Sequence, residues 1–362
     1  MSAVLAEARV RRAAARHDIA VVLFGTGKVG GAFLQLLRTP AAKHLRLVGA
    51  ANSRHQQTQP GELAERRLRE HLNIAGEARD DAALLRALLA SNARDKVIVD
   101  ATASAELAGR HPDWLVHGCH VVTANKALAG GGLAGWCALQ AGCVHGARYG
   151  DSATVGAGLP ALATLRRLHA CGDRLTRIEG VFSGSFSYLF NHYDGRQPFS
   201  TLLREACALG YTEPDPRADL SGEDVARKLL ILARAAGVPL QRADIEVENL
   251  VPEILRDVLQ TEFLERLDEL DAPIATRFAA AAARGHVLRY LARFDADGTA
   301  RVGLAEVSRD HPAAHLQGAD NLFAFTTQRY AQRPLLIQGA GAGPEVTAQA
   351  LLGDILALTQ QA

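Results

Sequence analysis

The stretch IAVVLFGTGKVG, residues 19–30, decides the fold of the first half of the chain. Its first six residues are all apolar, which predicts a buried strand. Three glycines follow within the stretch, and apolar residues then recur at helical spacing from Phe33 to Leu37. This order of strand, glycine turn and helix is typical of a dinucleotide-binding unit, in which a pyrophosphate lies at the helix N-terminus. The residues predicted to line this turn are Gly25, Thr26, Gly27, Lys28, Val29 and Gly30.

A second apolar segment, Leu45–Ala51, predicts the next strand and is followed by Asn52, Ser53 and Arg54. A fold that prefers NAD would carry a carboxylate here, because that group bonds the ribose hydroxyls. Ser53 and Arg54 instead suit a 2′-phosphate, so the sequence favours NADP over NAD. The alternative is that Arg54 is an ordinary solvated residue.

Two more predicted strands, Val97–Val99 and His120–Val122, are followed by polar residues. Thr102 and Ser104 come after the first strand, and Lys126 comes after the second. The carboxyl ends of parallel strands share one edge of a sheet, where open α/β folds bind ligands. We therefore expect the cofactor to lie across Thr102 and Ser104, with Lys126 beside its nicotinamide. A lysine at a strand end can also be merely solvated.

The stretch ACALGYTEPDPRADLSGEDVARK, residues 206–228, concentrates carboxylates and ends on a lysine. Its two prolines fix φ and remove backbone donors, which predicts an ordered turn. Ser221 and Asp224 are spaced as a cap pair, so we expect a helix to begin near Ser221 with Asp224 and Lys228 on one face. Such a site could hold a cationic amino group and move a proton beside it. The alternative is an exposed ion pair worth about 0.3–0.5 kcal/mol.

The composition of the chain excludes several classes of partner. The 362 residues include 40 Lys+Arg and 39 Asp+Glu, so no net charge favours nucleic acid or an anionic membrane. Residues 1–18 lack the apolar core of a secretory signal, and residues 127–147 are too rich in glycine for a spanning helix. The five cysteines contain no C-x-x-C pair. We expect a cytoplasmic protein with reduced thiols.

The order of the segments predicts the domain organisation. We expect a Rossmann-type doubly wound parallel sheet in residues 1–150, which would end with a strand over Cys143–Tyr149. Residues 151–325 would form an α+β domain for substrate binding and dimerisation. Residues 326–362 would return to complete the nucleotide domain through a C-terminal helix.

Two further glycine-rich loops are open to more than one interpretation. The loop DSATVGAGLP, residues 151–160, could present carbonyls to a monovalent cation or amides to a carboxylate, or simply cross between domains. The loop QGAGAG, residues 338–343, repeats the order of glycine turn and helix. Gly343 would therefore lie at the cofactor, unless the loop only caps the helix that follows.

Five motifs together resemble one family, the homoserine dehydrogenases. They are TANK, TVGAGLP, SGSFSY, GYTEPDPRADLSGEDVARK and GAGPEVTA, and they follow the family's order along nearly the whole chain. The resemblance is closest to the dehydrogenase half of bifunctional aspartokinase–homoserine dehydrogenases. It implies reversible interconversion of L-homoserine and L-aspartate 4-semialdehyde with NAD(P), a step in threonine, methionine and isoleucine biosynthesis. It also implies a homodimer formed through the sheet of the second domain.

The resemblance implies roles for residues at matching positions. Lys228 would be the general acid/base on the substrate oxygen, and Lys126 would approach the same oxygen. Glu213 and Asp219 would hold the substrate ammonium, while Asp224 would orient Lys228 or a water. The cofactor would be lined by Gly25, Gly27, Gly30, Thr102, Lys126 and Gly343.

Some members of this family bind sodium through backbone carbonyls at positions that match Val155, Ala157 and Leu159. Those members often carry a glutamate where this chain has Ser152. The resemblance therefore implies a monovalent cation site with one altered neighbour.

Two other functions remain compatible with the motifs. One is a dehydrogenase for another small amino-acid alcohol, and the other is a catalytically silent NADP-binding sensor. Turnover of homoserine would separate both from the leading hypothesis, and loss of that turnover on replacing Lys228 would identify the proton-transfer group.

Overall fold

The computed structural model describes residues 19–58, 65–143 and 146–360. Within the chain, two compact units can be distinguished. Unit 1 comprises residues 1–128, 134–154 and 343–362, and unit 2 comprises residues 129–133 and 155–342. Each unit is described by itself.

The strands of the described residues form two sheets. Their bounds are β1 (Ile19–Phe24), β2 (Leu45–Ala51), β3 (His55–Thr58), β4 (Glu77–Ala78), β5 (Asp95–Asp100), β6 (His120–Thr123), β7 (Tyr149–Gly150), β8 (Leu175–Val181), β9 (Ile245–Val247), β10 (Val287–Asp295), β11 (Ala300–Val307), β12 (Asp320–Thr327) and β13 (Leu335–Ala340).

The helices alternate with the strands in unit 1 and cluster between strands in unit 2. Their bounds are α1 (Lys28–Leu36), α2 (Glu65–Ile74), α3 (Asp81–Leu89), α4 (Ala105–Gly109), α5 (His111–Val116), α6 (Leu133–Gly142), α7 (Ala161–Ala170), α8 (Gly184–His192), α9 (Phe199–Ala208), α10 (Arg217–Leu220), α11 (Glu223–Ala235), α12 (Gln260–Glu265), α13 (Asp271–Ala283) and α14 (Pro344–Gln360).

The sheet of unit 1 has the strand order β4-β3-β2-β1-β5-β6-β7. The five strands from β2 to β7 in this order are parallel, and β3 and β4 extend the edge in the antiparallel sense. Strand β1 is buried on both faces, because its side chains alternate between two helical layers. Val21 and Leu23 join the core beneath α1 and α14, whereas Phe24 stacks on Trp114 of α5.

Helix α14 completes the core of unit 1 from the far end of the chain. It packs against α1 and against strands β5, β6 and β7. Ala348, Leu351, Leu352 and Ile355 are buried in the same cluster as Phe33 of α1. Helix α14 therefore follows unit 2 in the sequence but packs as part of unit 1, which carries the glycine turn.

Unit 2 is built on a sheet with the strand order β13-β12-β8-β10-β11-β9. All neighbouring strands are antiparallel except β11 and β9. Helices α8, α11 and α13 pack against β10, where Phe186 stacks on Tyr290. The predicted fold class is confirmed: a Rossmann-type parallel sheet is joined to a second α+β domain.

One strand prediction is wrong in its extent. The strand expected over Cys143–Tyr149 is only Tyr149–Gly150, the two residues that pair with Val121 and Val122 of β6. Residues 144–145 of that prediction lie outside the described residues. Among the helices that the structure describes, none has the length and apolarity needed to cross a membrane.

Candidate active site

Of the three glycines in the turn after β1, only Gly27 has open space beside it for a ligand. Gly25 has φ +91°, and a Cβ there would lie 2.8 Å from the carbonyl oxygen of Ala101. A Cβ on Gly30 would lie 1.8 Å from the carbonyl oxygen of Gly25. No heavy atom lies within 4 Å of a Cβ built on Gly27, which is the N-cap of α1 and has no side-chain cap bond. The turn therefore leaves open space at a helix N-terminus, as a pyrophosphate requires.

The other residues of the turn differ in exposure. Thr26 is buried, Val29 is half-buried, and Lys28 is exposed. Of these three side chains, only that of Lys28 extends into solvent, where it could contact a phosphate group.

The structure brings Thr102 and Ser104 together with the loop that carries Lys126. Asn125 Nδ2 donates to the carbonyl oxygen of Ser104 at 2.8 Å, and its neighbour Lys126 is half-buried. Ser104 also caps α4 by accepting a bond from the N–H of Leu107 at 3.1 Å. Asn125 was not among the predicted site residues, although it stands inside the TANK motif.

Ser53 and Arg54 lie on a cleft of about 710 Å³ that also reaches Ser104. Two more arginines, Arg79 and Arg110, line the cleft. Both of them pair with Asp81, at 2.6 Å and 2.7 Å. Because that carboxylate engages Arg79 and Arg110, Arg54 is the cleft arginine best placed to meet an added anion.

Gly343 lies at the start of α14 within unit 1. It has φ +136°, and its carbonyl oxygen accepts bonds from the N–H of Thr347 at 3.1 Å and from its hydroxyl at 2.7 Å. The residue therefore starts the helix, and a role at the cofactor stays a prediction.

Lys228 is held in unit 2 by two oxygen atoms. Its Nζ donates to the carbonyl oxygen of Phe182 at 2.7 Å and lies 3.0 Å from Oδ2 of Asp224. The side chain is 11 % exposed, against 45 % for Asp224. An ammonium has three N–H donors, so these contacts leave one for a substrate oxygen. The contact with Phe182 crosses 46 positions of sequence and distinguishes this lysine from a surface ion pair.

Asp219 lies in the same cluster. It accepts bonds from the hydroxyl of Ser185 at 2.6 Å and from the backbone N–H of Glu213 at 2.7 Å. Burial raises the pKa of its carboxyl, and the nearby charge of Asp224 raises it further, although the two hydrogen bonds and Lys228 oppose this. Ser185 stands in the SGSFSY motif at the start of α8, and its spacing in the sequence gives no sign of the bond to Asp219.

The turn that precedes this cluster is ordered, as its prolines predict. Arg217 donates to both carboxylate oxygens of Asp215 and also to the carbonyl oxygen of Val258 at 2.7 Å. Gln260 Nε2 donates to the carbonyl oxygen of Pro214 at 2.7 Å. The exposed Glu213 therefore projects from a braced loop.

The predicted cap of the helix that carries Lys228 is wrong. Helix α11 begins at Glu223, and its N-cap is Gly222 with φ +74° and no side-chain cap bond. The hydroxyl of Ser221 instead donates to the carbonyl oxygen of Ala218 at 2.9 Å. The chain must turn sharply between α10 and α11, and a left-handed glycine makes that turn where a cap pair cannot.

The loop predicted to bind a cation contains one residue with a strained backbone, and one of its three candidate carbonyl oxygens already accepts a hydrogen bond. Ala157 has φ +51°, a left-handed conformation that is unusual for a residue with a Cβ. The carbonyl oxygen of Leu159 already accepts a bond from the N–H of Ala161 at 2.8 Å. Val155 is buried. In unit 1, the Ser152 hydroxyl donates to Asp354 at 2.7 Å.

Comparisons with known proteins agree on one family. The family model for homoserine dehydrogenase matches residues 160–356, and the model for the homoserine dehydrogenase NAD-binding domain matches residues 25–134. The chain is 41 % identical over 357 residues to the bifunctional aspartokinase/homoserine dehydrogenase 2 of Zea mays, covering 95 % of this chain and 39 % of that protein. It thus spans about two fifths of the length of the bifunctional relatives.

Relatives named as homoserine dehydrogenase alone are matched over more of their own length. The homoserine dehydrogenase of Emericella nidulans is 38 % identical over 361 residues, which cover 94 % of this chain and 98 % of that protein. The crystal structure of a homoserine dehydrogenase from Thiobacillus denitrificans has a TM-score of 0.72 and 26 % identity, covering 95 % of this chain and 74 % of that one. The chain therefore belongs to the homoserine dehydrogenase family, whose members use a nicotinamide cofactor.

Proposed function

We propose that the chain catalyses the reversible, nicotinamide-dependent interconversion of L-homoserine and L-aspartate 4-semialdehyde. The observation that carries the proposal is the cluster around Lys228, whose ammonium is held by the Phe182 carbonyl and Asp224 with one N–H left over. When bound, the nicotinamide cofactor accepts or supplies the hydride. The protein must therefore bind the substrate and move one proton at its oxygen.

In this proposal Lys228 transfers the proton to and from the substrate oxygen. Asp224 orients its ammonium, and Lys126 is a second cation for the same oxygen. Asp219 and the exposed carboxylate of Glu213 bind the substrate ammonium, since an ionised acid in a partly buried site pairs strongly with a cation. Holding the substrate in this way can contribute roughly 7–11 kcal/mol to lowering the barrier.

The proposal is tested by following the absorbance of the reduced nicotinamide after L-homoserine and NADP are added. Lys228→Ala should lower turnover at least about 100-fold, because proton transfer is lost. Its dissociation constant for NADPH should stay unchanged. The control is Arg227→Ala, an exposed neighbour on the same helix, which should keep wild-type turnover. Equal turnover in Lys228→Ala and wild type would remove Lys228 from its role. No turnover of homoserine in the wild type would favour a sensor or a dehydrogenase for another amino-acid alcohol.

The preference for NADP over NAD is a finer part of the proposal. It is supported by Arg54 at the edge of the cleft and by the absence of a carboxylate at Asn52, Ser53 and Arg54. The pyrophosphate would lie at Gly27, and the 2′-phosphate at the adenosine end would reach Ser53 and Arg54.

Three further expectations belong with this proposal. A homodimer would form through the sheet of unit 2, where Leu336 of edge strand β13 leaves apolar surface exposed. Sedimentation would test it.

A sodium ion at the carbonyls of Val155, Ala157 and Leu159 stays a prediction, which activity measured with and without sodium would check. The free thiols of Cys119 and Cys207 support the expected cytoplasmic location.

A further inference from the structure

A carboxylate that the motifs do not single out lies at the centre of the ligand-binding edge of unit 1. Asp100 is the last residue of β5 and is 0 % exposed. Its Oδ1 accepts bonds from the N–H of Thr102 at 2.9 Å and from the Thr102 hydroxyl at 2.7 Å. Its Oδ2 contacts Asn125 Nδ2 at 2.9 Å and His111 Nε2 at 3.0 Å. Each oxygen of Asp100 therefore has two partners.

These bonds join the two loops that follow β5 and β6. Besides Asp100, Asn125 Nδ2 reaches the carbonyl oxygen of Ser104, and Asn125 Oδ1 accepts a bond from the N–H of Ala127 at 3.0 Å. That last bond spans Lys126. One carboxylate thus fixes the turn that carries Thr102 and, through Asn125, the turn that carries Lys126.

The opposite side of Asp100 is closed by a buried histidine. His111 is 0 % exposed, and its other ring nitrogen, Nδ1, lies 3.1 Å from the hydroxyl of Tyr149. The ring also lies against Trp114 of the same helix. The network therefore runs from strand β7 through α5 to the edge where parallel strands bind ligands.

A buried ionic network is a costly way to hold a fold together. Well-packed apolar residues often provide equal or greater stability, because taking a carboxylate out of water is expensive. Fully satisfied networks do, however, hold a single geometry, and that suits loops that must meet a ligand in one conformation. The position of Asp100, between two loops that would line the cofactor, supports this use.

We propose that Asp100 is a positioning residue that holds Thr102 and Lys126 in the geometry needed at the nicotinamide end of the cofactor, and that His111 keeps its carboxylate in place. The proposal rests on the proposed function, because it assumes that this edge of unit 1 binds the cofactor. Asp100 itself touches neither substrate nor cofactor and acts through Asn125 and Thr102.

The test is Asp100→Asn in the full chain, with the dissociation constant for NADPH measured by the fluorescence of the bound nicotinamide. The new amide keeps the shape but places a donor or a weaker acceptor before Asn125 and His111. We expect the dissociation constant to rise about tenfold or more, which corresponds to about 1.4 kcal/mol. Binding of 2′,5′-ADP, which lacks the nicotinamide, should change much less.

Asp173→Asn is the matched control in unit 2. Asp173 is also buried, and it accepts bonds from the hydroxyl of Thr327 at 2.7 Å and from the N–H of Arg329 at 3.2 Å. It should lose thermal stability but keep the wild-type affinity for NADPH. If Asp100→Asn shows the same pattern as this control, Asp100 is only structural and the proposal is overturned.

A milder variant covers the case in which Asp100→Asn does not fold. Thr102→Val keeps the side-chain shape but removes the hydroxyl that donates to Asp100 at 2.7 Å and accepts a bond from the N–H of Ser104 at 3.1 Å. It should weaken NADPH binding with little loss of stability. Unchanged binding in this variant would contradict the proposal. Failure of the proposed function is seen separately, since the wild-type chain would then bind NADPH without oxidising homoserine.

Discussion

Asp219 is an acid whose environment opposes its own ionisation. Its pKa is raised by burial and by the charge of Asp224, yet it must be ionised to bind an ammonium. We therefore expect the KM for homoserine to rise as the pH falls through this raised pKa, so that the acidic limb of kcat/KM lies above the ordinary value of 3.8. Steady-state kinetics from acid to neutral pH measure this limb.

Asp215→Asn provides the control for that profile. Arg217 lowers the pKa of Asp215 through its side-chain hydrogen bonds, which outweigh the effect of burial. Asp215 is therefore fully ionised over the limb, and its replacement should leave the position of the limb unchanged. A limb at or below the ordinary carboxyl range in the wild type would show that Asp219 does not govern binding.

Arg54 is expected to discriminate between the two nicotinamide cofactors. Replacing it by Ala removes charge-assisted bonds to a 2′-phosphate, each worth about 1.5–3 kcal/mol, so affinity for NADPH should fall about tenfold or more while affinity for NADH stays constant. Isothermal titration with both cofactors measures the difference. Arg46→Ala, at an exposed arginine near the amino end of β2, should change neither affinity. An equal loss of both affinities would contradict a phosphate-binding role for Arg54.

At the level of secondary structure, helix α11 depends on the glycine that precedes it. Gly222 has φ +74°, and a Cβ there would lie 2.0 Å from the hydroxyl oxygen of Tyr290. Gly222→Ala should therefore displace the start of α11 and with it Asp224 and Lys228. We expect lower turnover with homoserine, an unchanged dissociation constant for NADPH, and a lower midpoint of thermal unfolding.

Gly285→Ala separates backbone strain from displacement of the helix. Gly285 has φ +73°, nearly the same as Gly222, but no heavy atom lies within 4 Å of its added Cβ. Gly285→Ala should lower the free energy of unfolding by about 1–2 kcal/mol, because of the left-handed backbone alone. It should leave turnover at the wild-type level. The same loss of turnover in both variants would show that α11 is not the element affected.

At the level of the whole molecule, the last helix of the chain stabilises the first sheet. Leu351 of α14 is 0 % exposed in the core of unit 1. Leu351→Ala should therefore lower the free energy of unfolding by about 2–5 kcal/mol. Both tryptophans, Trp114 and Trp136, lie in unit 1, so their fluorescence reports the unfolding of that unit. We expect its midpoint in denaturant to fall.

Leu267→Ala is the corresponding change in unit 2, where Leu267 is also 0 % exposed. It should lower the unfolding midpoint measured by far-ultraviolet circular dichroism but not the midpoint measured by tryptophan fluorescence. Because multi-domain chains need not unfold in one step, the two signals are compared directly. Coincident shifts in both signals for both variants would show that the units unfold as one.

The sequence alone determined the local parts of this protein. Strand β1, the glycine turn and helix α1 follow from apolar periodicity and from glycines at short spacing, and the pair of Asp224 and Lys228 follows from helical geometry. The family follows from motifs of the same kind, each of which is a short run of neighbouring residues. These features involve residues close together in the chain, so their chemistry can be recognised without a fold.

Only the tertiary structure decided which distant groups meet. The Phe182 carbonyl that binds Lys228, the Ser185 hydroxyl on Asp219 and the network of Asp100 with His111 all join separate elements. The same holds for Gly222 before α11. The turn between α10 and α11 requires its left-handed backbone, so the cap pair predicted for Ser221 and Asp224 does not form. Strand pairing and helix packing bring these groups together, and the spacing of residues within one segment does not show which other segment it will meet.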